Sequence, residues 1–198
     1  TATATVAPTP LPPTATVQPT ATVALHANGR IPEGWRIYVG TSVPVVVNYD
    51  GGWGVYRQEF NGGYALAFST SVPGGYAFLN VGQQDLLNGI LPTLLERSDA
   101  EIQQYFAKAW PLGRNGPFAG TCDGIATFDG VTHTSIAQSD FITLNAHCTY
   151  YGIASRLQMF FGVSHDRPWW IFTLAPRASY DDVEKTHFGP MLFSMKFD

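Results

Sequence analysis

Residues 156–175 read RLQMFFGVSHDRPWWIFTLA, and this stretch decides the fold that the sequence predicts. In its first half one face of the strand is entirely apolar, because Leu157, Met159, Phe161 and Val163 alternate with Arg156, Gln158, Phe160 and Gly162. The second half, residues 169–174, is apolar on both faces, as in a central strand covered on both sides. Asp and Pro in residues 164–168 favour a hairpin loop of about four or five residues between the two strands.

This hairpin predicts the centre of the hydrophobic core. Two adjacent tryptophans on one strand point to opposite faces. We therefore expect Trp170 to be almost fully buried together with Phe161 and Phe172, and Trp169 to lie on the other face, against a helix or near the rim.

The surrounding sequence predicts an α+β domain. Short strand-like segments from residue 35 to residue 81 are separated by glycine-rich turns and indicate an antiparallel meander. Amphipathic patterns predict helices over 84–97 and 98–110, the second opened by a Ser98…Glu101 capping box, and a last helix from Tyr180 that Gly189-Pro190 interrupts. We predict one globular domain, residues 31–198, with a central antiparallel β-sheet and helices packed on its faces as an α/β/α-type sandwich.

Composition narrows the class of protein. Charged residues make up only 13% of the chain, the formal net charge is −4, and Lys and Arg are scattered rather than clustered. Nucleic acid is therefore excluded as a partner, because its binding needs a clustered basic face. No apolar run approaches the roughly 20 residues of a membrane-spanning helix. An uncharged polar surface is typical of exported proteins, and we predict an extracellular or cell-surface location.

Residues 1–30 are predicted to form a separate arm or linker. Residues 1–24 contain eight Thr, six Ala and five Pro, and the tetrad TATV begins at Thr3, Thr14 and Thr20. The prolines exclude a helix and favour extended or polyproline II backbone. Thr and Pro together are typical of mucin-like stalks, so we expect O-linked sugar on Thr1, Thr3, Thr5, Thr14, Thr16, Thr20 and Thr22.

The repeats also alternate strictly between Thr and an apolar residue, which is the period of a half-buried strand. The apolar side is formed by Ala2, Ala4, Val6, Ala15, Val17, Ala21 and Val23. Ordering each residue costs about 1–2 kcal/mol. An ordered arm with no core of its own therefore implies a partner surface, most simply a neighbouring copy of the same chain. A disordered spacer is the alternative.

Cys122 and Cys148 are the only cysteines, and both lie in strand-like sequence on either side of a middle strand near residues 134–138. In an exported chain a disulfide between them is the simplest interpretation, and it would stabilise the fold by about 3–4 kcal/mol. The alternative is a nucleophilic cysteine with His147 or His133 as its base. His147 is adjacent to Cys148 in the sequence, so on a strand the two side chains point apart and that alternative is disfavoured.

No known catalytic or metal-binding motif occurs in the sequence. The nucleophile elbow, the zincin helix, the P-loop and a paired Cys-x-x-Cys are all absent, and the five histidines lack metal-ligand spacing. We predict no enzyme activity, no catalytic residues, no metal and no cofactor. The aromatic residues of the meander could bind sugars or peptides, although alternating aromatics on strands are more often core.

The end of the chain resembles PsbP/Mog1-like domains. Residues 188–197 follow the pattern F-x-P-M-L-x-S-M-x-F, which is similar to the last helix of those domains. VPVVVNYDGGWGVY, residues 43–56, is similar to their strand–turn–Trp opening, with Asp50 where Pro is usual. The resemblance covers residues 35–197 in order of elements and implies an α/β sandwich. Its members include photosystem accessory subunits, GTPase-binding proteins and stalked extracellular domains, and it carries over no catalytic residues.

Two functions follow from these features. The first is a non-enzymatic extracellular structural or assembly subunit of a surface or filament, in which the arm docks on a neighbouring copy to form a homopolymer. The second is a stalked ligand-binding or sensory domain, in which the arm is a spacer and the aromatic sheet is the site.

Overall fold

A computed structural model describes residues 32–40, 43–60, 63–109, 122–124 and 126–197. The described residues form two antiparallel sheets and a few helices, which confirms the α+β class. The strands are β1 (Trp35–Val39), β2 (Val45–Asp50), β3 (Gly54–Phe60), β4 (Gly63–Val72), β5 (Gly75–Gln84), β6 (Thr127–Ile136), β7 (Ser139–Tyr150), β8 (Ile153–Ser164), β9 (Arg167–Pro176) and β10 (Lys196–Phe197). The helices are α1 (Asp85–Leu95), α2 (Asp99–Ala109), α3 (Tyr180–Val183) and α4 (Gly189–Ser194), with a π-helical turn (Glu184–Phe188) between the last two.

The larger sheet has seven strands in the order β3-β4-β5-β9-β8-β7-β6, so the hairpin β8–β9 lies at its centre as predicted. The loop is shorter than expected. Only His165 and Asp166 connect the strands, both with positive φ (52° and 58°), while Arg167 and Pro168 already pair with β8. Two residues of positive φ give a turn whose twist matches that of the strands, and so the strands remain paired up to the turn.

Two other hairpins use the same kind of turn. Ala137 and Gln138 connect β6 to β7 with φ of 52° and 66°, and Tyr151 and Gly152 connect β7 to β8 with φ of 47° and 74°. Ala and Gln have no particular preference for this backbone region. The three tight turns make β6 to β9 one long twisted meander.

The two faces of the large sheet carry separate hydrophobic clusters. Trp170 packs on the face covered by α1 and α2, with Phe161 and Phe172, and these three side chains are 1%, 0% and 3% exposed. This confirms their predicted burial. Trp169 lies on the opposite face, as expected, but deep in the core, 4.5 Å from the Phe197 ring of β10, and not at the rim.

The first two strands are not part of the predicted meander. β1 and β2 pair with each other, and β2 also pairs with β10 (Val46 opposite Lys196), which gives a separate three-stranded sheet. Val45 and Val47 of β2 are fully buried against the large sheet. β3, β4 and β5 do form a meander. One face of the large sheet is thus covered by helices and the other by the small sheet and the C-terminal helices.

The first two helices lie within the predicted ranges 84–97 and 98–110, and each buries one side, with Leu91 and Leu94 of α1 and Ile102 and Phe106 of α2 in the core. The capping box of α2 is present, with Glu101 accepting hydrogen bonds from the Ser98 backbone N–H (3.0 Å) and hydroxyl (2.6 Å). At the C-terminus Gly189-Pro190 does not break the helix. The π-helical turn ends just before this pair, with the Gly189 N–H bonded to the Glu184 carbonyl, and α4 begins with Pro190 in its first turn. Proline is tolerated there because its missing N–H needs no partner.

Arg156 of β8 holds the start of this C-terminal segment on the sheet. Its guanidinium lies over the Tyr180 ring (4.6 Å to the centroid) and donates to Asp181 at 2.9 Å. The Tyr180 hydroxyl is bonded to Thr173 at 2.9 Å in the core, and burial raises the pKa of this phenol well above its usual value.

Candidate functional site

Cys122 and Cys148 form a disulfide, which confirms the predicted bond, with 5.9 Å between their Cα atoms. The structure excludes the nucleophilic-cysteine alternative, because neither thiol is free. Cys122 lies in a short non-strand segment rather than in a strand, and Cys148 lies on β7. The segment is also bonded to the tip of the β7–β8 hairpin: Asp123 donates its N–H to the Thr149 carbonyl (2.8 Å) and accepts the Gly152 N–H (2.8 Å).

Three histidines pair with aspartates from distant parts of the chain, which the sequence did not reveal. His133 lies 3.0 Å from Asp99, and His147 lies 3.0 Å from Asp129. Both pairs are exposed to solvent, where an ion pair contributes about 0–1 kcal/mol. His147 therefore serves a surface contact with β6. In the described residues no serine, threonine or free thiol is bonded to either of these two histidines, and a nucleophile–base pair is what acyl-transfer chemistry requires.

The third pair belongs to an aromatic cluster at the end of the small sheet. His187, on the π-helical turn, stacks on Trp35 (6.5 Å between ring centroids) and contacts Trp53 (5.4 Å), and its Nδ1 lies 3.7 Å from Asp50. Burial lowers the pKa of His187, and the Asp50 carboxylate partly opposes this effect. The cluster attaches the C-terminal segment to β1 and to the β2–β3 turn.

The most conspicuous exposed apolar feature is a group of aromatic rings on the large sheet. The group lies on the same face as α1 and α2, in a part of that face that the two helices leave uncovered. We call Tyr56, Tyr76, Phe78, Tyr150 and Tyr151 the tyrosine surface. Successive ring centroids lie 6.2 Å (Tyr76–Phe78), 5.4 Å (Phe78–Tyr150) and 4.6 Å (Tyr150–Tyr151) apart. Tyr56, Tyr76 and Tyr151 are 42%, 53% and 78% exposed, so half of the exposed large apolar side chains that the structure describes belong to this one group. Grouped exposure of this kind marks an interaction site more often than scattered exposure does.

The tyrosine surface is almost free of charge. Burial raises the pKa of Tyr150, and neighbouring Tyr151, Tyr56, Asp123 and Tyr76 raise it further, so the phenol is neutral at physiological pH. Asp123 is the acidic group beside the rings, and the disulfide and the hairpin hold it in place. The surface therefore offers flat ring faces, neutral hydroxyls and one carboxylate. Such a combination can bind and orient a ligand.

Two depressions lie along the helices α1 and α2. A depression of about 250 Å³ lies between α1 and α2, lined by Gly89, Ile90, Thr93, Leu94, Arg97 and Tyr105. A second, of about 550 Å³, is lined by α2 alone, so it lies along one helix surface. No residue of the tyrosine surface lines either depression, and the second begins at Ala100, next to Asp99 of the pair with His133. Typical ligand pockets are clefts of about 300–1,000 Å³ that enclose most of the ligand.

β1 is the other unusual surface. It pairs only with β2, so its outer edge is free in the described structure. Ile37 and Val39 on this strand are 53% and 66% exposed, and both lie on the face opposite to Tyr38, whose ring contacts Phe68 in the core.

The predicted arm residues lie outside the described residues. This applies to the apolar positions Ala2, Ala4, Val6, Ala15, Val17, Ala21 and Val23 and to the glycosylation candidates Thr1, Thr3, Thr5, Thr14, Thr16, Thr20 and Thr22. Docking of the arm, its modification and the boundary at residue 30 therefore stay predictions.

Metal-binding and membrane-spanning features are also absent from the described part of the chain. It contains no group of three or more His, Cys, Asp or Glu side chains that could hold a metal ion. None of its helices has both the length and the hydropathy needed to cross a bilayer.

The architecture defines a class of fold: an α+β sandwich of the PsbP type. The chain superposes on the solution structure of the cyanobacterial PsbP protein CyanoP from Synechocystis with a TM-score of 0.58 and 11% identity, over 88% of this chain and 98% of that one. At this identity the similarity shows the fold alone. It confirms the resemblance that the C-terminal and strand–turn–Trp motifs indicated.

Two further solved structures are similar only at a lower level. A protein from Bacteroides thetaiotaomicron gives a TM-score of 0.43 at 8% identity, covering 83% of this chain and 49% of that one. LpqN of Mycobacterium tuberculosis, described as involved in cell envelope biogenesis, gives 0.37 at 11% identity, covering 84% and 80%. No protein-family model matches the chain, and no curated protein sequence matches it. Independently of these comparisons, the disulfide is typical of proteins that fold in an oxidising compartment.

Proposed function

We propose that this chain is an exported, non-enzymatic binding domain, carried on its Thr/Pro-rich segment, that contacts a polysaccharide through the tyrosine surface. The observation that carries the proposal is the set of exposed rings of Tyr56, Tyr76 and Tyr151 around Phe78 and Tyr150. Tyrosine supplies a large, rigid contact area with a polar end at low entropic cost. This was the second function that the sequence predicted. The exposed rings of the tyrosine surface support it.

A polysaccharide fits this surface better than a small ligand does. The rings form an open row rather than an enclosed pocket, which suits a polymer that contacts several of them at once. Sugar rings have an apolar face for stacking and hydroxyls for hydrogen bonds, which matches neutral tyrosines next to the Asp123 carboxylate. A neutral polymer fits this surface. Asp123 is the one charged group among the residues that raise the pKa of Tyr150.

Affinity electrophoresis tests this function. The protein is run through native gels that contain soluble xylan, hydroxyethyl cellulose or laminarin, and we expect at least one polymer to retard it. Tyr76→Ala and Tyr151→Ala should each abolish most of the retardation. Phe193→Ala is the matched control, because Phe193 is 58% exposed on α4, outside the tyrosine surface. Retardation that these tyrosine variants leave unchanged, or no retardation by any of these polymers, would contradict the proposal.

In this proposal the arm is a spacer. In polyproline II conformation 24 residues extend about 75 Å at roughly 3.1 Å each, enough to hold the domain well away from a cell surface. Sugar on the repeat threonines would stiffen and solubilise such a spacer. We expect the protein isolated from its native source to have an intact mass above that of the bare chain. Loss of the excess mass on chemical deglycosylation would confirm the modification, and a mass equal to the bare chain would refute it.

Assembly through the arm is the second proposed function, and one observation favours it. The free, apolar edge of β1 is a surface to which an extended segment can add. The chain would then be an extracellular structural subunit whose partners are copies of itself. Sedimentation velocity of the full chain over a hundredfold concentration range distinguishes the two functions. A concentration-dependent series of oligomers supports assembly, and a monomer throughout leaves the arm as a spacer.

A further inference from the structure

We infer that the outer edge of β1 is the acceptor for the arm, and that it binds the segment Thr1–Ala7 of a second copy as an added antiparallel or parallel strand. The inference rests on the assembly function proposed above and names the surface and the segment that would carry it. Each contact between two copies is then head-to-tail, so that further copies can add at the ends without forming a closed ring.

Among the described residues four strands lie at sheet edges: β1 and β10 in the small sheet, and β3 and β6 in the large one. Natural edge strands are usually protected from pairing by charges, bulges, short length or a covering element. β3 carries the exposed ion pair of Arg57 with Glu59 (2.7 Å). β6 has an irregular register between Phe128 and Gly130, and Gln103 of α2 donates a hydrogen bond to the Phe128 carbonyl at 3.2 Å. β10 has only two residues.

β1 is less protected than these strands, because its pairing with β2 contains no bulge and no element that the structure describes pairs with its outer edge. Ile37 and Val39 are aliphatic and more than half exposed, and Arg36 is the one charged residue of the strand. Val39 is paired with Val46 of β2, which adds a half-buried aliphatic residue to the same face. An exposed apolar edge of this kind favours pairing with another extended segment.

β1 is also held rigidly, which an acceptor requires. Tyr38 contacts the fully buried Phe68 with 6.3 Å between ring centroids, and Trp35 stacks on His187. Its five residues are all paired with β2. Addition of a strand therefore needs little rearrangement of the domain, and little ordering cost falls on the acceptor.

The matching segment is the start of the arm. Residues 1–6, TATATV, form the longest stretch of strict Thr/apolar alternation without proline in residues 1–24, and Ala7 extends it to the first proline. Seven residues are enough to cover the five of β1 at about 3.3 Å each. Ala2, Ala4 and Val6 would then lie beside Ile37 and Val39, and the threonines on the other face. Small apolar side chains suit such a contact, since backbone hydrogen bonds supply most of the affinity.

The prolines of the arm favour docking of this segment on a second copy rather than on its own domain. The prolines at positions 8, 10, 12, 13 and 19 lie between Thr1–Ala7 and β1 of the same chain. Proline cannot donate to a ladder and stiffens the backbone into an extended form, so a proline-rich connection resists folding back on its own domain. Docking of the arm on β1 of its own chain is the competing outcome of the test below.

The test uses two full-length variants that each remove one half of the contact. Ala4→Lys with Val6→Lys places charge on the arm, and Ile37→Lys with Val39→Lys places charge on the acceptor edge. Phe193→Lys is the matched control, because it adds the same charge at an equally exposed apolar position. Sedimentation velocity measures the size of each protein alone and of the two charged variants mixed in equal amounts.

We expect the unmodified chain and Phe193→Lys to form oligomers, and each doubly substituted variant to be a monomer. The mixture should form a 1:1 complex and stop there, because the intact arm of one variant fits the intact edge of the other. Oligomers that persist with a charged edge but disappear with a charged arm would overturn the assignment of β1 while leaving assembly through the arm intact. Oligomers that persist with a charged arm would overturn assembly through Thr1–Ala7 altogether.

A monomeric unmodified chain would refute both the inference and the assembly function. Hydrogen exchange then shows where the arm lies. Slow exchange of the outward-facing β1 amides in the unmodified chain, lost in Ala4→Lys with Val6→Lys, would mean that the arm docks on its own domain and would overturn docking in trans.

Discussion

Removal of the disulfide should lower the free energy of unfolding by an amount that depends on the length of chain between the two cysteines. Cys122 and Cys148 are 26 residues apart, and closing a loop of that size lowers the entropy of the unfolded chain by about 12 cal/mol/K, or about 3.5 kcal/mol at 25 °C. In a chain of this size that loss corresponds to a fall in melting temperature of about 7–14 °C. Cys122→Ala with Cys148→Ala is the variant of choice, because it leaves no lone thiol.

Urea unfolding followed by tryptophan fluorescence measures the change in free energy of unfolding. Reduction of the unmodified protein with dithiothreitol provides the control: it should lower the stability by a similar amount, and it should not affect the doubly substituted variant. Hydrogen exchange adds a local measure, since the Gly152 N–H is bonded to Asp123 next to the disulfide and should exchange faster in the variant. A loss below about 1 kcal/mol, with Gly152 exchange unchanged, would show that Asp123 and its hydrogen bonds hold this segment without the bond.

Three other predictions concern the core and the pH dependence. Trp170→Ala should cost about 3–5 kcal/mol in urea unfolding, because a 1% exposed indole leaves a large cavity, and an unchanged midpoint would contradict its position in the core. Gly82→Ala should cost at least about 1–3 kcal/mol, since its Cβ would lie 2.8 Å from Trp170 Cζ2, whereas Gly89→Ala on α1, with no atom within 4 Å, should stabilise by about 0.4–1 kcal/mol. His187 has a lowered pKa in the folded protein, so its contribution to stability is present above about pH 6.5 and is lost as the pH falls through the folded value. Between pH 7 and pH 5 the melting temperature should therefore fall less in His187→Gln than in the unmodified protein. An equal fall in both proteins would contradict the lowered pKa of His187.

Local patterns in the sequence were sufficient to predict the two strands of the central hairpin and the helix α2. Alternation in residues 156–175 predicted the central hairpin and the opposite facing of Trp169 and Trp170, because side chains alternate across any strand. The capping box at Ser98 and Glu101 predicted the start of α2, since its hydrogen bonds are made within one helical turn. The disulfide was predicted from the presence of two cysteines in a chain that its composition predicts to be exported, and the motif at residues 188–197 indicated the PsbP-like fold.

The partners of each strand could not be predicted in the same way. β1 and β2 have the same period as β3 to β5, yet they form a separate sheet in which β2 pairs with β10, about 150 residues further along the chain, as the pairing of Val46 with Lys196 shows. Periodicity reports which face of a strand is buried and not which strand lies beside it. The two-residue turn at Ala137-Gln138 was equally unpredictable, because its positive φ values are imposed by the pairing of β6 with β7 and not by residue preference.

The sequence by itself determined the period of each strand and helix, the two cysteines and the unusual composition of residues 1–24, since each of these depends on neighbouring residues or on counting. Only the tertiary structure brought Tyr56, Tyr76, Phe78, Tyr150 and Tyr151 together, because they lie on β3, on β5 and at the end of β7, which are far apart along the chain. It alone left the edge of β1 free, because the C-terminus supplies the other neighbour of β2 and nothing in the described residues pairs beyond β1. Exposure of an apolar side chain depends on which distant segments cover it, and coverage is settled by packing across the whole domain.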